Sequence, residues 1–75
     1  MFKGKLSIDG KEIEVSNVEA IDKGVDTYFK GTAAEDVPQA KGGTLNLTNA
    51  ENASLIIKNC VIEHGGKNFE GFGQE

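Results

Sequence analysis

The sequence predicts an all-β chain of 75 residues, and three observations carry that prediction. Apolar and polar residues alternate along Lys5–Ile8 and again along Glu12–Val15, the period-2 pattern of a half-buried strand. Turn punctuation recurs at short intervals, most sharply at the Asp9-Gly10 dipeptide. A strand–turn–strand phrase also occurs twice, with Asn17 and Asn59 separated by 42 positions and Gly24 and Gly66 by the same distance.

The elements follow in order. Leu6 and Ile8 alternate with Lys5 and Ser7 in a first strand, and Ile13 and Val15 alternate with Glu12 and Glu14 in a second. If Asp9-Gly10 closes a two-residue hairpin, Leu6 faces Ile13 and Lys5 faces Glu14, a register that suits both hydrophobicity and charge. The same residues also fit two successive strands that turn a solenoid corner. Val25–Phe29 is β-branched and aromatic and reads as a third strand. Thr32–Gly43 holds the only proline, Pro38, with Gly42-Gly43 and little periodicity, and reads as a loop or excursion over 32–43 within one β domain spanning 1–75. Thr48-Asn49-Ala50-Glu51 fits a capping box, which would set Ala50, Ala53, Ile57 and Cys60 on one face of a short helix near 49–60. Against the helix, Ile56, Ile57, Val61 and Ile62 are β-branched and Asn59 would lie inside it, so strand is expected over Leu55–Glu63. The tail from Lys67 to Gly73 alternates Phe with Gly.

Apolar-x-apolar-x-Asn-small occurs at Ile13–Val18, Leu45–Ala50 and Leu55–Cys60. Asn tolerates the left-handed backbone, so it suits a tight corner between short strands, and equivalent corners stack in a β-solenoid. Leu55–Gly66 and Lys5–Gly24 resemble rungs of right-handed parallel β-helix proteins. The fold the resemblance implies is a small single-domain parallel β-helix of a few short rungs. The alternative is an antiparallel β-meander or partial barrel with the short helix near 49–60. Many β-helix proteins act on polysaccharides, but this chain has no Arg and no dense acidic cluster, so the resemblance implies architecture and not chemistry. Phe2–Glu12, and Gly42–Leu47 with the possible capped helix, are also similar to tail-tube subunits of phages and type VI secretion systems, a family that assembles into rings.

Composition narrows the function. The net charge is −4 and all 8 basic residues are Lys, which argues against nucleic acid as a partner, because such binders lean on Arg and on net positive charge. The longest apolar run, Leu55–Ile57, is too short for a membrane span, and Met1–Gly4 does not begin a signal peptide, so a cytoplasmic location is expected. One Cys rules out an intrachain disulfide, leaving a small core without a staple and favouring homo-oligomerisation.

Few residues suggest chemistry. Cys60 and His64 form a Cys-x-x-x-His pair, but no further Cys or His completes a zinc set, so neither metal nor cofactor is expected. A Cys–His nucleophile would need an orienting group and an oxyanion hole, and no motif supplies them. Gly65-Gly66 lacks the spacing of a phosphate loop. The aromatics Tyr28, Phe29, Phe69 and Phe72 follow the two glycine corners at matching places. They are the candidate partner-binding residues, with a shared core as the other reading. The expectation is a non-enzymatic protein-interaction module, such as a small phage- or mobile-element-encoded inhibitor of a larger host protein. The alternative is a self-assembling structural subunit.

Overall fold

Strand formation follows the alternation, but the strands pair with reversed neighbours. In the computed structural model, which describes Met1–Glu75, β1 (Phe2–Ile8), β2 (Lys11–Asp22), β3 (Thr27–Val37), β4 (Lys41–Asn49), β5 (Ser54–His64) and β6 (Gly66–Gln74) form a closed barrel in the order β1-β2-β3-β6-β5-β4. Every pairing is antiparallel, including the β1–β4 contact that closes the sheet. The chain is therefore a barrel and not a parallel β-helix. The all-β expectation holds in its antiparallel form, without the short helix near 49–60.

The reason lies in the turns. Asp9 and Gly10 both take positive φ, 51° and 76°, as a two-residue hairpin turn with the native strand twist requires. Leu6 then pairs with Ile13 and Lys5 with Glu14. Asn17 and Asn59 do adopt the left-handed backbone, at φ 52° and 54°, but inside β2 and β5. Each marks a bulge where the register slips against both neighbouring strands, bending a long strand around the barrel instead of ending it. The capping-box residues serve a turn. The Asn49 side-chain carbonyl accepts the backbone N–H groups of Glu51 and Ala53 at 3.0 and 2.9 Å, and Asn52 takes φ 64°. This folds β4 back onto β5 and leaves no helix to begin.

The 32–43 segment is not a loop. Thr32–Val37 completes β3 and Lys41 opens β4, leaving Pro38–Ala40 as the connection. Periodicity fades there because the β3–β6 register slips between Thr32 and Val37, so Ala33 and Val37 are buried while Ala34–Asp36 stay exposed. The connection carries the chain across the ends of β6 and β5. On the way the Gln39 amide donates to the Glu63 carbonyl at 2.8 Å, and the Ile62 N–H donates to the Ala40 carbonyl at 3.0 Å.

β1–β2–β3 and β4–β5–β6 are two near-equivalent three-stranded meanders laid edge to edge. Their joints are two seams, β1/β4 and β3/β6. The core holds Leu6, Ile8, Ile13, Val15 and Val18 from the first meander with Leu45, Leu47, Ile57, Cys60 and Ile62 from the second, closed by Phe29 and Phe69. At β3/β6, Phe29 pairs with Gly71 and Phe69 with Gly31, so each ring enters the interior opposite a residue without a side chain. The rings lie 6.0 Å apart, tilted by 54°. At β1/β4 a Cβ on Gly4 would collide with the Asn46 carbonyl oxygen, so that seam closes only on glycine.

Candidate functional site

The barrel has no free strand edge, so any partner must meet side chains on its outer surface. Outward-facing residues lie in rows across the strands, because directly opposed residues share a face. One row is apolar: Ile21 on β2 pairs with Tyr28 on β3, Tyr28 with Phe72 on β6, and Phe72 with Val61 on β5. Ile21 is 55% and Tyr28 39% exposed, while Phe72 and Val61 are half-buried. Tyr28 and Phe72 pack ring against ring at 5.4 Å, with the Lys23 ammonium 5.4 Å from the Tyr28 ring centroid. Val25, 82% exposed in the β2–β3 turn, extends the apolar surface.

The four sequence-predicted aromatics therefore divide. Tyr28 and Phe72 stand on the outside and form the centre of the row. Phe29 and Phe69 are core residues, 3% and 0% exposed, and are withdrawn as partner-binding candidates. Alternation dictates the split, since Tyr28 and Phe29 are adjacent on one strand and must face opposite ways. Ile21 and Val61 were missed. A meander register counted outward from the β2–β3 turn would have found Ile21, but Val61 needs the β5–β6 pairing and the bulge at Asn59.

Charged side chains flank the row on both sides. Towards one end of the barrel lie Glu19, Lys30, Glu70 and the Glu63–His64 pair, from β2, β3, β6 and β5 in turn. Towards the other end lie Lys23 and Asp26, bracketing the β2–β3 turn, then Gln74 and Lys58. Lys30 meets Glu19 at 3.7 Å, both well exposed, a geometry of small energetic weight. Glu19 and Ile21 of β2 and Lys23 of the following turn line one shallow depression with Tyr28, Glu70 and Glu63, so the four strands present a continuous surface.

The remaining reactive groups are not gathered. Cys60 is fully buried, its thiol donates to the Ile57 carbonyl at 3.3 Å, and burial pushes its pKa up to about 11. A protonated, enclosed thiol is neither nucleophile nor metal ligand. His64 lies exposed at the end of β5, so the Cys-x-x-x-His pair does not share a site. The largest depression, bordered by Lys3, Lys5, Glu14, Ser16, Thr32 and Thr48, is open and polar. No helix is long and apolar enough to cross a membrane.

No protein-family model matches the chain, nor does any curated protein or solved structure. The class the geometry defines is a small closed antiparallel barrel carrying an aromatic row on one outer face.

Proposed function

We propose that this chain is a non-enzymatic protein-interaction module that docks through the outer face of β2, β3, β6 and β5. The observation that carries the reading is the unbroken outward row Ile21–Tyr28–Phe72–Val61. Aromatic and aliphatic side chains aligned on a rigid sheet lose little conformational entropy on binding, and Tyr is among the residues that dominate interface energetics. The lysine and carboxylate border suits a polar rim, and the partner class it fits is a protein surface, not nucleic acid or lipid.

The test is site-specific photocrosslinking. A photoreactive phenylalanine at position 28 is expected to give one defined protein adduct that Ile21→Ser abolishes. The same probe at Lys5, on the opposite polar face, is expected to give none. Equal labelling from both positions, or none from position 28, would remove the reading.

A further inference from the structure

The two polar borders of the aromatic row carry opposite charges at three of their four positions. Glu19 on β2 lies on one side and Lys23, just past the end of β2, on the other, while Lys30 on β3 lies opposite Asp26, just before β3 begins. On β5 the Glu63–His64 pair borders the row on the Glu70 side and Lys58 on the other, while on β6 Glu70 lies opposite the neutral amide Gln74. A surface with this arrangement is complementary to itself when turned over about an axis along the aromatic row. Turned so, Glu19 meets the Lys23 position, Lys30 meets Asp26, Glu63 meets Lys58, and Glu70 meets the Gln74 amide. Each contact occurs twice, as in any isologous pair. The apolar residues then meet their own kind, Ile21 on Ile21 and Tyr28 on Tyr28.

We infer that the occupant of this face is a second copy of the same chain, docked about a two-fold axis that runs along the Tyr28–Phe72 row. The inference rests on the reading of that face as an interaction surface and names its partner. Charge complementarity sets the choice, because a foreign protein would place no such constraint on the two borders of one row. Size points the same way. Only 14 apolar residues form the core, no disulfide reinforces it, and a second copy adds apolar burial that a barrel this small lacks. The intrachain Lys30–Glu19 contact is exposed and is free to exchange for the intermolecular ones. Closure about a two-fold axis gives a dimer and stops there, since both copies of the face are consumed.

Light scattering behind a sizing column, at two well-separated concentrations, is expected to give twice the chain mass at the higher one. Lys30→Glu sets a carboxylate against Asp26 of the other copy at each of the two contacts, and Asp26→Lys likewise sets a lysine against Lys30. Each alone is expected to raise the dimer dissociation constant by about tenfold or more. Mixed one to one, the two variants regain opposite charges at both contacts, so they are expected to pair with each other more tightly than either pairs with itself. Glu19→Lys mixed with Lys23→Glu makes the same test at the Glu19–Lys23 contact. Circular dichroism of each variant alone verifies that the barrel is intact. A native chain that is monomeric at both concentrations, a larger ring, or charge-swapped mixtures that fail to pair would overturn the inference. A foreign adduct from position 28 alongside a monomeric native chain would overturn self-pairing and leave the interaction reading standing. The absence of any adduct would overturn both.

Discussion

Both seams of the barrel join one meander to the other, yet their outer faces differ. Across β1/β4 the outward pairs are Lys3 with Thr48, Lys5 with Asn46 and Ser7 with Thr44. Across β3/β6 they are Tyr28 with Phe72, Lys30 with Glu70 and Thr32 with Asn68. Inside, both seams do the same work, closing the sheet by setting glycine against bulk. The fold explains what the seams share and leaves unexplained the aromatic pair that only one of them carries on its surface. That outer aromatic pair, which core packing does not demand, is what the proposed docking face rests on.

The largest test of the shared interior is at glycine. Gly4→Val and Gly71→Val would drive a side chain into the carbonyl oxygens of Asn46 and Val61 respectively. Each is expected to cost about 4 kcal/mol or more and to leave little folded protein in urea titrations. A cost under about 1 kcal/mol at Gly4 would mean that the β1/β4 seam is not closed as described, and at Gly71 that β6 does not lie so close against β5. Next in size, Phe69→Ala is expected to lose about 3–5 kcal/mol. Phe72→Ala and Tyr28→Ala should cost far less stability in the monomer while weakening association. Similar losses for Phe69 and Phe72 in denaturant would erase the distinction between inner and outer aromatics.

A smaller effect separates Val18 from its counterpart Cys60, which sits 42 positions later and is equally buried. Folding holds the thiol protonated up to about pH 11, whereas the ordinary value is 9.0. Below pH 9 both folded and unfolded chains keep the proton and the thiol adds no pH dependence. Between pH 9 and 11 only the unfolded chain releases it, so stability falls as pH rises, by up to about 2–3 kcal/mol. Cys60→Val should flatten that part of the profile, and a native-like slope in the variant would assign it to other groups. The smallest effect is at the bulges. Asn17→Ala and Asn59→Ala are each expected to cost about 1 kcal/mol, with Gly tolerated at both. A tenfold or larger disparity in the two equilibrium effects would show that the bulges are not equivalent.

Much of this was legible as local pattern. The register of β1 on β2 followed from the facing of Leu6 with Ile13 once Asp9-Gly10 closed a hairpin, but the same residues fitted a solenoid corner equally well. The 42-residue spacing of the two asparagines identified the repeated unit. Its pairing direction could not be read, because alternation is the same in parallel and antiparallel sheets and an asparagine at positive φ suits a corner as well as a bulge. The Thr32–Gly43 stretch misled because a strand that slips register loses its period. The site was half legible. Aromatic content singled out Tyr28 and Phe72 together with Phe29 and Phe69. Which pair faces water depended on the phase of each strand across a closure that joins residues about 40 positions apart.

That closure sets an order of events during folding. The four hairpins join neighbours in the chain and form on the microsecond scale, while the seams, such as Lys5 with Asn46 and Lys30 with Glu70, wait for long loops to close. Either meander can therefore form before the other docks onto it. Until β4 and β6 dock, β1 and β3 expose bare strand edges and Phe29 has no ring to pack against, so the undocked meander is the species most vulnerable to aggregation.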